Sequence, residues 1–147
     1  MIRPMKEADI PAISAIERAS FSRPWTKDNF RESLGLPDAL FIVAQDEAGK
    51  LLGYLGMYFS PDDMGIMNVA VTPSHRGRGI GDELLTYAMD RAYERRVSQV
   101  YLEVRISNDP AKRLYEKHGL KPLGIRKGLY EDPKEDGIVM GKDIKYD

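Results

Sequence analysis

The stretch Val69-Ala70-Val71-Thr72-Pro73-Ser74-His75-Arg76-Gly77-Arg78-Gly79-Ile80-Gly81 limits what this chain can fold into more than any other part of it. A β-branched run stops at a proline, three alternate glycines follow with two arginines among them, and an amphipathic segment begins at Asp82. That order predicts strand, glycine-rich loop, helix. Such a loop leaves several backbone N–H groups unpaired at the positive end of a helix, and without Cβ atoms it lets a ligand come close, so it suits a pyrophosphate. A flexible turn between strand and helix is the plainer alternative. Two common phosphate loops fail on spacing. A Walker loop needs Gly-Lys where this chain has Asp82-Glu83, and the dinucleotide fingerprint needs a third glycine at that same Asp82.

At 147 residues the chain is read as one domain, 1–147, able to bury about two-thirds of the surface that its unfolded form exposes. With no cysteine it has no thiol nucleophile, no thiolate metal site and no disulfide framework, which fits a reducing compartment. The two histidines, His75 and His118, stand in unrelated places, so no metal site is expected. The first residues lack the apolar core of a signal peptide and no apolar run approaches the ~20 residues of a membrane span, so the expectation is a cytoplasmic protein with no membrane partner. A net charge of −1, from 22 basic and 23 acidic side chains, gives no reason to expect nucleic acid either.

Along the chain, a short strand near Ile2 precedes a helix with Asp9 as its N-cap and Ile10, Ile13, Ile16 and Ala19 near helical spacing. Thr26 caps a second, short helix that Gly35 and Pro37 end. Trp25 and Phe30 then occupy the positions of a hydrophobic staple, which is the favoured reading of Trp25 over a wall of a substrate cleft. Strands over Leu40 to Ala44, Leu51 to Phe59 and Ile66 to Val71 form an antiparallel meander with turns at Asp46 to Lys50 and Ser60 to Gly65. Leu84, Leu85, Ala88, Met89 and Ala92 mark the buried stripe of the helix after the glycines, and a strand at Val100 to Val104 completes a parallel crossover. Asp109-Pro110 reads as N-cap and N1 of a last helix closed by Gly119. Strands around Leu123 to Arg126 and Ile138 to Ile144 flank a loop, Gly128 to Gly137. The fold class is α+β, a mixed central sheet of about six to seven strands with flanking helices.

In Gln99-Val100-Tyr101-Leu102-Glu103-Val104-Arg105, the apolar residues take one face and Tyr101, Glu103 and Arg105 the other. A central strand covered by helices should be apolar on both faces, so the polar face points to a wet cleft with Glu103 in it. Pairing of Glu103 with Arg105 or with a facing strand is the structural alternative.

The arrangement resembles the GNAT acetyltransferases, and within them the RimI-type peptide N-terminal acetyltransferases. Arg76-Gly77-Arg78-Gly79-Ile80-Gly81 is similar to the family's Gln/Arg-x-x-Gly-x-Gly/Ala loop, and Leu102-Glu103-Val104-Arg105, Ser107-Asn108 and Leu114-Tyr115-Glu116-Lys117-His118-Gly119-Leu120 follow in the family's order and spacing. Arg23-Pro24-Trp25-Thr26 and Glu135-Asp136-Gly137-Ile138-Val139-Met140 extend the likeness over almost the whole chain. The resemblance implies the GNAT fold and acetyl-coenzyme A as co-substrate. Val69, Ala70 and Val71 would offer backbone groups to the acetyl carbonyl and pantetheine arm. Arg76, Gly77, Arg78, Gly79, Ile80 and Gly81 would hold the pyrophosphate, and Asn108 the pantetheine end. Glu103 would accept the amine proton through water, while Tyr115 would line the cofactor and protonate the departing thiolate. Trp25 and Tyr130 would border the acceptor. Leu120 and Leu129-Tyr130 depart from the family's usual Phe and Tyr-Tyr.

The missing cysteine and the lack of a Gly-x-Ser-x-Gly elbow agree with direct transfer without a covalent enzyme intermediate. The acceptor is read as a protein N-terminus, with a ribosomal protein among the candidates. The alternatives are a GNAT enzyme for small amines and a non-catalytic acyl-coenzyme A-binding regulatory subunit. Composition says nothing of oligomeric state.

Overall fold

The computed structural model describes residues 1–146. In chain order these form β1 (Ile2–Pro4), α1 (Ile10–Ser20), α2 (Lys27–Leu34), β2 (Ala39–Gln45), β3 (Leu51–Phe59), β4 (Asp63–Val71), α3 (Ile80–Glu94), β5 (Gln99–Arg105), α4 (Asp109–Lys117), β6 (Lys121–Tyr130) and β7 (Glu135–Asp143), with short 3₁₀ turns at Glu7–Asp9 and Pro73–His75. The strands make one seven-stranded sheet in the order β1-β2-β3-β4-β5-β7-β6. Every neighbouring pair is antiparallel except β4 and β5, which are parallel because the whole of α3 carries the chain between them.

Strand alternation divides the core in two. Ile42, Leu55, Met57, Met64, Val100 and Leu102 pack on one face against Leu84, Leu85, Ala88, Met89 and Ala92, the expected stripe of α3. On the other face Phe41, Val43, Tyr54 and Ala70 meet Ile10, Ile13 and Ile16 of α1 and Phe30 of α2. Each fully buried Leu, Ile or Phe in these layers contributes ~1.5–3 kcal/mol by leaving water. The sheet is therefore clamped by α3 and α4 on one side and by α1 and α2 on the other.

Four local expectations are corrected. Asp9 does not cap α1: its carboxylate accepts from the Arg3 guanidinium at 2.8 and 2.9 Å and from the Lys6 N–H at 2.8 Å, closing the 3₁₀ turn and tying β1 to the helix start. The N-cap of α4 is Asn108, not Asp109, with its Oδ1 accepting from the Ala111 N–H at 3.2 Å. β4 starts at Asp63, so the preceding turn is Ser60 to Asp62; pairing with β3 on one side and β5 on the other extends the strand past its apolar run. Finally, β6 and β7 run on to Tyr130 and back from Glu135, leaving only residues 131–134 as the connection where a loop from Gly128 to Gly137 was expected. Polar composition hid the strand ends, because cross-strand pairing decides there. By contrast Thr26 caps α2 with its hydroxyl oxygen accepting from the Asn29 N–H, and the Trp25 ring lies 5.4 Å from that of Phe30, as a staple requires.

The fork from Arg3 holds the Asp9 carboxyl below the usual carboxylate range, with the Lys6 N–H adding to it against the cost of burial. A depressed carboxyl adds stability above its unfolded pKa and loses it as pH falls through the folded value. Asp9→Asn should therefore cost about 1.5–3 kcal/mol at neutral pH, the range for hydrogen bonds to a charged group. The deficit should stay constant down to about pH 4 and shrink below it, as urea unfolding of both proteins across pH 2–7 would show.

Candidate active site

The parallel pairing of β4 with β5 lasts only three residues a side, Asp63 to Gly65 with Gln99 to Tyr101. Beyond it the strands part. A bulge in β4, where Gly56 and Met57 of β3 face Asn68 and Ile66 and leave Met67 without a partner, bends the strand away, while β5 follows β7 along its entire length. The wedge opens into a cleft of about 440 Å³ lined by Met67, Asn68 and Val69 on one side and Leu102, Glu103, Val104 and Arg105 on the other. Asn108, Tyr115, Trp25, Leu129 and Tyr130 complete its walls. Seven residues singled out in sequence thus meet in one cavity: Trp25, Val69, Glu103, Arg105, Asn108, Tyr115 and Tyr130.

The glycine loop lies past the end of β4, outside that lining. Gly77 and Gly79 have φ of +78° and +84°, with open space where a Cβ would stand, so they are glycines for conformation and access. Gly79 is the N-cap of α3 and gives it no side-chain cap. Among the described residues no acceptor takes the N–H groups of Gly77 to Asp82; the first bond of the helix start runs from the Glu83 N–H to the Gly79 carbonyl. Gly81 has another reason to be small: a Cβ there would stand 3.1 Å from Leu114 of α4. Arg76 is partly committed, since its Nε donates to the Val71 carbonyl and its Nη2 to Ser20 Oγ, both at 3.1 Å. Arg78 is exposed. Ala70 turns its side chain into the α1/α2 core, so only its backbone is open to a ligand.

In the cavity Tyr115 is buried, and its hydroxyl has no hydrogen-bond partner among the described residues, so it is not tied to backbone. Burial, with Tyr130 adding to it, pushes the phenol up to about 12, and the group keeps its proton at neutral pH. Glu103 takes both bonds from one guanidinium nitrogen, Arg126 Nη1 at 2.9 and 3.1 Å, so its cation comes from β6 and not from Arg105. Arg105 instead gathers the far wall. It donates to the carbonyls of Glu131 at 2.8 Å and Pro133 at 2.9 Å, reaches Glu135 at 3.3 Å and Ser22 Oγ at 3.4 Å, and stacks 4.6 Å above the Tyr130 ring. Of the four acidic residues in that turn region, Asp132 pairs with Arg23, Glu135 binds Arg105 and the Ser107 N–H, and Asp136 accepts from the Gly128 N–H, which leaves Glu131 facing the cavity.

Sequence reasoning passed over Glu17. Its carboxylate is buried at the cavity wall, accepts from the Trp25 N–H and the Tyr54 hydroxyl, and has Asn68 Nδ2 at 3.4 Å. Burial drives its pKa up against those three donors. The signal was legible: Ile10, Ile13, Ser14 and Glu17 share the buried face of α1, and a carboxylate on an apolar stripe needs a reason. Trp25 serves as staple and as cavity wall at once.

The profile of the acetyltransferase (GNAT) family matches residues 10–120. A Bacillus subtilis protein provisionally named a ribosomal protein bS18-alanine N-acetyltransferase is 41% identical over 95% of this chain and 92% of its own length. The Escherichia coli ribosomal protein bS18-alanine N-acetyltransferase is 32% identical over 97% of each chain. The crystal structure of the ribosomal-protein-S18-alanine N-acetyltransferase from Escherichia coli superposes with a TM-score of 0.91 at 30% identity, covering 100% of this chain and 95% of that one.

Because the planar fork of Arg105 binds two carbonyls and stacks on a ring, a lysine cannot replace it. Arg105→Lys should destabilise the fold by roughly 1–3 kcal/mol. It should also speed glutamyl-endopeptidase cleavage after Glu131 while cleavage elsewhere stays slow, as time-resolved mass spectrometry would show.

Proposed function

The chain belongs to the GNAT acetyltransferase family, and from that premise we propose that it carries acetyl from acetyl-coenzyme A to the α-amine at the N-terminus of a protein, with a ribosomal protein as acceptor. The observation that carries the reading is the wedge between β4 and β5: it sets an open strand edge, a free phenol and a carboxylate around one cavity. The names of the relatives add the acceptor class.

The residues fit the co-substrate. The unpaired N–H groups of Gly77 to Asp82, at the positive end of α3 and with no Cβ at Gly77 or Gly79, suit the pyrophosphate. Asp82, which opposes an anion there, is itself held by His118 at 2.6 Å and Lys117 at 3.3 Å. The backbone from Val69 to Val71 suits the pantetheine arm and the thioester carbonyl. Asn108 has its Oδ1 committed to capping α4, so its amide nitrogen is the part left for the pantetheine end. When bound, acetyl-coenzyme A supplies an activated thioester that an amine attacks directly.

Three tasks then fall to this chain. Glu103 accepts the ammonium proton through water, oriented by Arg126. The β4 backbone donates to the developing oxyanion. Tyr115, protonated and without another partner, delivers a proton to the leaving sulfur. The acceptor enters between Trp25 and Tyr130. An α-amine (pKa ~7.8) is easier to free than a lysine (~10.4) by about 3.5 kcal/mol, which suits a site with one carboxylate working through water.

Two substitutions separate binding from chemistry. Gly79→Val should weaken coenzyme A in calorimetry without unfolding the protein, since a β-branched residue resists positive φ. Tyr115→Phe should lower turnover ~10²-fold to 10⁴-fold with cofactor affinity little changed.

The acceptor itself is tested with peptides. Those with a free, small N-terminal residue should be acetylated, with basic following residues helping modestly because only Glu131 of the acidic turn faces the cavity. Added salt should lower those rates, and Tyr130→Ala should raise the peptide KM. N-terminally blocked, lysine-rich peptides should be inert, and their robust acetylation would overturn the reading.

A further inference from the structure

Neither proton transfer nor ion pairing accounts for Glu17. It is 1% exposed, and no ion pair reaches it among the described residues. Its two oxygens are divided among elements distant in sequence. Oε1 accepts from the Tyr54 hydroxyl of β3, and Oε2 accepts from the Trp25 N–H at 2.8 Å in the connection between α1 and α2. Asn68 of β4 lies 3.4 Å from Oε2 and donates to the Tyr54 oxygen at 3.1 Å, closing a ring of three residues, Glu17, Tyr54 and Asn68, to which Trp25 is attached through Oε2. All three donors are neutral. Burying a carboxylate on neutral donors alone is costly, so its retention calls for what it holds together.

What it holds is the acceptor side of the cavity. The connection from Phe21 to Thr26 forms one wall, and its outer fastenings are exposed: Arg23 to Asp132 at 2.7 Å and Arg105 to Ser22 at 3.4 Å. Such surface contacts are individually weak. The inner fastening is Glu17, which pins the backbone at Trp25 while the indole packs 5.4 Å from Phe30 and 5.9 Å from Phe41. Through Asn68 the same carboxylate grips β4 between Met67 and Val69, at the edge of the wedge.

We propose that Glu17 is a positioning residue for the acceptor: its carboxylate latches the α1–α2 connection onto β4 through the Trp25 N–H and Asn68, and so sets the spacing between the acceptor wall and the open strand edge. The word acceptor rests on the acetyl-transfer reading; the latch itself does not. Glutamine would not test this, because its oxygen could stay on the Trp25 N–H and Asn68 while its NH₂ donates to the Tyr54 hydroxyl, which can accept; methionine keeps the unbranched length but offers neither oxygen, so the fastenings are lost while the volume is nearly kept.

Trp25 is the only tryptophan in the chain, so its fluorescence reports the latch without any assay of activity. In Glu17→Met, acrylamide quenching of Trp25 should rise about twofold and the emission should move to the red, while the far-ultraviolet circular dichroism keeps its shape. A misplaced wall should cut peptide kcat/KM by roughly 10²-fold, chiefly through KM, with the acetyl-coenzyme A dissociation constant unchanged. Asn68→Ala, which leaves the Trp25 bond intact, should raise the peptide KM without changing the quenching, and it carries the test if Glu17→Met fails to fold. Unchanged quenching and unchanged peptide kinetics in folded Glu17→Met would overturn the proposal, as would an equal loss of affinity for peptide and acetyl-coenzyme A. If the wild type acetylates no peptide, the acetyl-transfer reading fails, and Trp25 quenching alone still decides whether Glu17 is a latch.

Discussion

The site depends on one break in a hydrogen-bonded ladder, the parting of β4 from β5 after Gly65 and Tyr101. Backbone N–H and C=O groups inside a sheet are normally satisfied by the next strand. Here two interior strands turn unpaired edges toward each other across a gap, and each is kept from closing it by a stronger commitment elsewhere. β5 is paired with β7 at seven positions from Gln99 to Arg105, and β4 is held by β3 and bent by its bulge at Met67. A narrow ligand with amide groups along its length can complete such an edge, gaining from groups that water would otherwise have to satisfy.

Around that gap the same residue type has three uses, set by surroundings. Glu103 is partly exposed and faces a guanidinium, which fixes its orientation without sealing it from solvent. Glu135 binds the Ser107 N–H and Arg105, and these hydrogen bonds hold its carboxyl below the usual range. Glu17 sits on neutral donors in the interior, where burial outweighs them and drives its pKa the other way. The first carboxylate is open to whatever enters the cleft; the other two each fasten a wall of it.

Much of this was legible in the chain. The buried stripe of α3, the staple of Trp25 on Phe30 and the polar face of β5 follow from period and composition, because each depends on neighbours in sequence. What escaped depends on partners far away. The Asn108 cap displaced Asp109 because both residues are good caps and only the path of the chain chooses between them. Arg126 as the partner of Glu103, and the long strands flanking residues 131–134, come from registers that no local pattern specifies. Glu17 lay between: its place on an apolar stripe was visible, its three donors were not.

The glycine loop and the cleft are made of different material, and this bears on what can change. At the glycine loop a ligand would meet backbone N–H groups, which are the same for every residue, so substitutions there act chiefly by blocking approach or by forbidding positive φ at Gly77 and Gly79. In the cleft the walls are side chains, Trp25, Glu131, Leu129 and Tyr130 among them, fastened from behind by Arg105, Arg23 and Glu17. Exchanging a wall residue alters shape and charge while its fastening stays, whereas exchanging a fastening residue moves the whole wall. Side chains of the cleft can therefore be exchanged while the backbone of the loop stays as it is, since the two regions present different atoms to a ligand.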